Sequence, residues 1–440
     1  MEARLVSARR SVSSAAIVLV VLLAAGWVPR AAWSAQKKTS SNSPDMPALL
    51  KTASEALDHK DLPAAVQALK AVVEAQPENA AAWFNLGFAY SGLHQTEEAV
   101  QAYEKTLELQ PDLFEAHLNL GILLIQMKRA MESVAHLEKA VALKPEHPRA
   151  HLYDGRALAA AGQPEAAEKQ FQEALRLDPM LAIAWFDLGQ LRLNRKDHAG
   201  ALEAFQKAAE LDPKLPQAQL GAALALEGLN RAPEAVPQFE QYLAAQPDDL
   251  ETRFHLAKLY LQQGKNEQAR ESLEAVYRAR PETPGVAAAL GDVCALLKKF
   301  AESEKYYRQA LAVAPNEPDL HRALGQTLLD QQRFPEAEVE FRASLKLDPR
   351  SREAAKGLAT SLYLQKKYAE AIPLLDALAR APDAPAGIFF ILATCYDHLH
   401  DIKKAFEYYT RFLDLSHNQS PDQEWQARQR AKLLRRELRK

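Results

Sequence analysis

Residues 80–113 read AAAWFNLGFAYSGLHQTEEAVQAYEKTLELQPDL, and the spacings inside this stretch decide the fold. Trp83, Leu86, Gly87 and Tyr90 recur three and four residues apart, which places them on one face of a helix. Ala99, Tyr103 and Thr106 do the same further on. Pro111 then stops the second helix, because its ring clashes with the preceding turn and it has no N–H to donate. The stretch is therefore a hairpin of two helices. With Ala80 as column 1, its inward columns are 4, 7, 8 and 11 in the first helix and 20, 24 and 27 in the second.

The same columns return on both sides. Proline fills column 32 at Pro77, Pro111, Pro145, Pro179, Pro213, Pro247, Pro281, Pro315 and Pro349, always 34 residues apart. Eleven consecutive 34-residue repeats run from Met46 to Gln419 without insertion or deletion. The last two carry Asp383 and His417 in the proline slot, with Pro382 one residue early. Column 8 is always Gly or Ala, column 20 always Ala or Ser, and column 24 always apolar or aromatic, from Leu69 to Tyr409. Column 7 is mostly Leu, with Asp154 the odd member. Small residues at 8 and 20 are expected to let two backbones approach, while larger ones at 4, 7, 11 and 24 fill the space beside them. One hairpin cannot bury its apolar face alone, so neighbours must stack.

These residues resemble the tetratricopeptide repeat family. Repeat 2 meets its motif with Trp83, Leu86, Gly87, Tyr90, Ala99, Tyr103 and Pro111, and only Thr106 is weak in the Ala column. Repeat 1 (46–79) departs most, with Leu49, Thr52 and Ala56 in motif columns. The resemblance implies an all-α, right-handed superhelical α-solenoid of about eleven hairpins. It also implies a concave face, lined by the first helices, that holds peptides or helices of partner proteins. It says nothing of who those partners are. The clamp of Lys at column 5 with Asn at column 9, used by chaperone-tail-binding members, is absent from every repeat.

Outside the array the chain changes character. Arg4, Arg9 and Arg10 precede an uncharged run, AAIVLVVLLAA over 15–25, and small residues follow at Ala32, Ser34 and Ala35. This reads as an export signal over 1–35, directing the protein to a bacterial periplasm or to secretion. The alternative is an inner-membrane anchor through residues 15–28, although the run is short for a span of ~20 residues. Residues 36–45 read as a polar, disordered leader. After the array, 420–440 opens with a helix start at Ser420-Pro421-Asp422-Gln423. Its stripe Ala427, Ala431, Leu434 and Leu438 is expected to cap the final repeat.

Net charge −3 and a pI near 6.5 give no chain-wide basic field, so nucleic acid is not an expected partner. Cys294 and Cys395 are too few for a disulfide framework or a zinc site, and lie three repeats apart, so free thiols are expected. No phosphate loop, nucleophile elbow or zinc-protease pair occurs, so no enzyme, cofactor or metal is expected. The run Asp397-His398-Leu399-His400-Asp401 looks metal-like, yet it straddles a helix end where the two histidines diverge. His117, His151 and His321 stand in column 4 and read as half-buried packing residues. Asn418-Gln419-Ser420 is a glycosylation triplet, discounted because Pro421 follows. The tail from Arg428 to Lys440 holds seven basic residues against Glu437, suited to acidic headgroups, to an acidic partner, or simply to solvent.

Column 5 supplies the candidate binding surface. It reads Leu50, Phe84, Leu118, Leu152, Phe186, Leu220 and Phe254 before turning to Ala288, Arg322, Lys356 and Phe390. Phe88 and Ile122 from column 9 and Ile125 from column 12 join it. A partly exposed apolar strip of Phe84, Phe88, Leu118, Ile122 and Ile125, continued by Leu152, Phe186 and Phe254, is the expected partner groove. Packing between repeats would claim some of the same side chains. The sequence thus points to an exported scaffold that assembles or positions an envelope complex. The alternatives are a membrane-anchored version and a substrate-recruiting subunit of an enzyme.

Overall fold

Most first helices open where a short polar side chain precedes them or a proline begins them; those at Phe114 and Ala182 follow a leucine and have neither. Asn79 Oδ1 accepts from the Ala82 N–H at 3.1 Å, Asp249 Oδ1 from Thr252 at 3.0 Å, and Ser351 Oγ from Ala354 at 3.3 Å. Pro148, Pro216 and Pro318 start theirs instead, where the missing N–H costs nothing. The computed structural model describes residues 45–440 except 283, 418 and 440. The expected export segment, residues 36–44 of the leader and Asn418 lie outside the described residues. Asp45, placed at the end of the leader, caps the first helix, accepting from Ala48 N–H at 3.3 Å.

The described residues form eleven helical hairpins and a C-terminal helix, with no strand among them. In repeat 2 the helices are Ala80–Gly92 and Thr96–Leu109, thirteen and fourteen residues, and most other repeats copy those lengths. Repeats 10 and 11, which lack the column-32 proline, differ. Their second helices are Tyr368–Ala379, twelve residues, and Ile402–Ser416, fifteen. The proline therefore sets where the second helix stops.

The turn between the two helices has one conformation throughout. Column 15 is left-handed in all eleven repeats, from Lys60 (φ 58°) to His400 (φ 59°). In repeat 2 the Gln95 N–H donates to the Tyr90 carbonyl at 2.9 Å and the His94 N–H to that of Ser91 at 3.1 Å, closing the first helix with a Schellman turn. Glycine takes the slot only at Gly162 and Gly264.

The small column-8 residues leave space for a side chain of the second helix. A Cβ on Gly121 would meet the Leu137 side chain at 2.4 Å, and one on Gly155 the Phe171 ring at 2.6 Å. At these glycines column 8 makes room for the column-24 side chain, and at Gly155 a column-20 backbone atom, the Ala167 oxygen, is also close, at 3.2 Å.

The chain divides after Gln246 into two blocks. In the N-terminal block, Ala53 to Leu124 and Phe114 to Ala204 form two apolar cores. In the C-terminal block, one core runs from Tyr307 to Leu434 and takes in the terminal helix Pro421–Glu437. First helices of neighbouring repeats touch one another from repeat 3 to repeat 6 and from repeat 8 to repeat 10, and second helices make no comparable contact. Within those repeats the first helices therefore lie on the inner side. The terminal helix packs on Ile402–Ser416 through Ala427, Ala431 and Leu434. Leu438 does not join them. It follows the end of the helix and is 47% exposed, a correction to the expected four-residue stripe. Arg430 holds the helix in place with two hydrogen bonds to Asp397, at 2.8 and 2.6 Å. Cys294 and Cys395 are both free and buried. No helix among the described residues is long and apolar enough to cross a membrane.

Candidate partner-binding face

Where column 4 carries an N–H donor, it ties the first helix to the exit of the repeat before it. Trp83 Nε1 donates to the Pro77 carbonyl at 2.9 Å, and Trp185 Nε1 to that of Pro179 at 3.0 Å. The three histidines do the same work. His117, His151 and His321 place Nε2 at 2.8, 2.9 and 3.1 Å from the carbonyls of Pro111, Pro145 and Pro315. Proline ends the second helix but leaves its own carbonyl exposed to the next repeat, and an imidazole N–H reaches it as an indole N–H does. Each histidine turns its other nitrogen to the second helix: to His136 at 3.1 Å, Gln170 at 2.6 Å and Glu340 at 2.7 Å.

The expected column-5 strip is mostly not a surface. Phe84 and Leu118 are 0% exposed, and Ile122, Leu152 and Phe186 are buried as well. The cause is the second helix of the same hairpin. Phe84 turns its ring onto Tyr103 in column 24 at 5.6 Å between centroids, and Phe186 onto Phe205 at 5.8 Å. Leu118, Ile122 and Leu152 sit inside the second core of the N-terminal block. Phe88, Ile125 and Phe254 alone of the eight candidates remain half-exposed, with Leu50 beside the first two in kind. The ammonium of Lys258 stands 4.5 Å from the Phe254 ring centroid.

Polar residues that the sequence did not single out complete the inner side of the N-terminal block. Arg156 in column 9 and Asp187 in column 6 of the next repeat pair at 2.5 Å, both largely covered. Burial pushes the Asp187 carboxyl up, and Arg156 pulls it back. The Arg156 guanidinium also lies 5.3 Å from the Tyr153 ring. Columns 6 and 9 mix residue types from repeat to repeat, so no periodic signal marks this pair in the sequence. The N-terminal block thus presents half-buried apolar side chains in repeats 2 and 3 and a fixed ion pair between repeats 4 and 5. In the C-terminal block, column 5 is charged at Arg322 and Lys356, and both reach solvent.

Asp154 occupies the Leu column of repeat 4. It is fully buried, and neither carboxylate oxygen has a hydrogen-bond partner. Burial, then the charge of Glu138, push its pKa up to about 7. The metal-like run at 397–401 is spent on the turn. Asp397 takes Arg430, the His398 ring stacks on Tyr368 at 4.5 Å, His400 is the left-handed residue, and Asp401 caps the helix after it.

Family models described as tetratricopeptide repeat match residues 118–179, 154–216, 220–267, 254–318 and 322–385, and a second such model matches 80–113. Together they cover well over half of the chain. No curated protein matches the sequence. Among solved structures, MamA 41-end from Desulfovibrio magneticus RS-1 is 25% identical over 40% of this chain and 99% of that chain, with a TM-score of 0.38. YrrB, described as a TPR protein with an unusual peptide-binding site, is 24% identical over 46% of this chain and 99% of its own, with a TM-score of 0.37.

Proposed function

The chain belongs to the tetratricopeptide-repeat family, and on that premise we propose that it is a non-catalytic scaffold, exported to the cell envelope, that holds peptide or helical segments of partner proteins against its first helices. One observation carries this reading. In the N-terminal block Phe88 and Ile125, in columns 9 and 12 of the first helices of repeats 2 and 3, stay half-exposed although Phe84, Leu118 and Ile122 on the same helices are buried. Large apolar groups left at the surface of first helices suit the apolar side chains of an incoming segment, and a few such anchors dominate affinity. Arg156 and Asp187, already locked together, offer that segment a fixed polar end rather than a mobile one.

Export rests on the basic, then apolar, then small-residue order of residues 1–35. The membrane-anchored alternative retains residues 15–28. Fractionation with N-terminal sequencing separates the two: a mature terminus near residue 35 supports cleavage, and an intact Met1 in the membrane fraction supports the anchor. For the groove, Phe88→Ala with Ile125→Ala should weaken capture of the partners that the intact protein pulls down by about 2 kcal/mol or more, with the melting temperature nearly unchanged. Unchanged capture would overturn the assignment of this face.

A further inference from the structure

The terminal helix Pro421–Glu437 docks with one face and leaves the opposite face bare. Glu424, Ala427 and Leu434 are buried, and Ala431 is half-buried between them. At 100° per residue the opposite side of the helix carries Trp425, Lys432 and Arg436, continued by Arg439 past its end, with Leu433 next to the line. All five are exposed, Trp425 to 65% and Leu433 to 44%.

The charge on this face is not neutralised locally. Arg428 pairs with Glu424 at 3.2 Å, and Arg430 with Asp397 at 2.6 Å. Those two cations belong to the docked side. Lys432, Arg435, Arg436 and Arg439 form no salt bridge among the described residues, and Glu437 is the only acid after Glu424. A chain of net charge −3 thus carries a local cluster of unpaired cations on one outward strip, together with a tryptophan and a leucine.

We propose that this strip is a contact for an anionic lipid surface. The helix cannot roll to bury itself elsewhere, because Arg430, Ala427 and Leu434 fix its orientation. Its outer line runs about 20 Å along a convex ridge, a shape that meets a plane and has no walls to enclose a peptide or a duplex. Lysine and arginine beside the headgroups gain from the negative surface potential, while tryptophan and leucine enter the headgroup boundary. The scaffold would then lie on a membrane by its C-terminal end, whatever becomes of residues 1–35.

The test is flotation of the full-length protein with vesicles of phosphatidylcholine alone and of phosphatidylglycerol with phosphatidylcholine in equal parts. Binding should favour the anionic vesicles and vanish at about 1 M salt, where the screening length is about 3 Å. Lys432→Ala with Arg436→Ala and Arg439→Ala should weaken that binding about 100-fold without moving the melting temperature, since all three side chains are exposed. Quenching of tryptophan fluorescence by brominated anionic lipid should drop in Trp425→Phe. Equal binding to both vesicles, or indifference to the triple substitution, would overturn the proposal. So would charge-dependent binding to an acidic polypeptide or RNA with none to the vesicles, which would assign the strip to a macromolecule instead.

Discussion

His117 Nε2 lies 2.8 Å from the carbonyl oxygen of Pro111, the place that the indole of Trp83 takes beside Pro77 one repeat earlier. That bond fixes a tautomer. The Nε2 proton goes to Pro111, so Nδ1 of His117 accepts, and the His136 Nδ1, 3.1 Å away, must donate. The arrangement holds only while His117 is neutral, because a protonated His117 would turn an Nδ1–H toward the Nδ1–H of His136. Burial lowers both pKa values, with the positive charge of Lys139 helping at His117 and the neighbouring ring helping at His136. The sign follows: above about 6.5 neither the folded nor the unfolded chain protonates these rings, and stability is flat. As pH falls through 6.5 the unfolded chain binds protons first, and stability is lost until the depressed folded values are passed. His117→Trp keeps the Pro111 bond and removes one titrating ring, so thermal melting should fall less steeply on acidification. An unchanged slope would mean that the pair does not govern it.

Asp154 acts in the opposite sense. Its folded pKa is raised to about 7 from 3.8, so the protonated acid is the form that the core accepts. That contribution is complete below 3.8 and is lost as pH rises through about 7. Above about pH 7 the core holds a carboxylate with no partner. Asp154→Leu, the residue of the same column in eight other repeats, should therefore stabilise the protein by about 1–3 kcal/mol, most at alkaline pH. Asp154→Asn should flatten the alkaline part of the profile. Denaturant unfolding at several pH values reads both, and a destabilised Leu variant would show an unseen partner for the carboxylate.

These two sites show what periodicity can and cannot convey. The proline period of the first nine repeats and the small column 8 and apolar column 24 of all eleven identified hairpins because each answers to the geometry of the two-helix unit. Asp154 was visible as an exception, but its missing partners depend on which side chains surround it. Column 5 was misread for a related reason. Its apolar run fits a groove and fits packing on column 24 equally well, and only the rotation that sets the Phe84 ring on Tyr103 separates them. The outer end of the terminal stripe was misread because helical spacing does not say where the supporting helix stops.

Column 15 offers a direct test of backbone strain. Lys128 and Lys366 hold φ of 61° and 62°, where an L side chain crowds the following carbonyl. Glycine adopts the same turn without that contact, at some cost in unfolded-state entropy. Lys366→Gly should raise stability by roughly 0.5–1 kcal/mol, and Gly162→Val should lower it by more than that. Both positions are exposed, so side-chain packing contributes little. Equal melting of Lys366→Gly and wild type would mean that the lysine pays no conformational penalty in this turn.

Leu434 in the terminal helix and Leu438 just past its end lie four residues apart, yet the structure assigns them opposite weights. Leu434 is 1% exposed and joins the core that contains Phe412 and Tyr409, whereas Leu438 follows the helix end beside Phe406 and Arg411 and stays largely in water. Leu434→Ala leaves a cavity in a packed core and should cost about 2–5 kcal/mol. Leu438→Ala removes an exposed side chain and should change stability by no more than about 0.5 kcal/mol. Arg430→Ala should fall between them, near 1 kcal/mol, because the guanidinium is half-exposed and its bidentate bond to Asp397 is partly screened. Truncation before Pro421 combines these losses and uncovers the last repeat, so it should lower the unfolding midpoint of the C-terminal block and promote aggregation. Denaturant titration of the four variants gives the order directly. If Leu438→Ala proved as costly as Leu434→Ala, the cap would extend beyond the residues that bury it here, and the outward basic strip would have a different orientation.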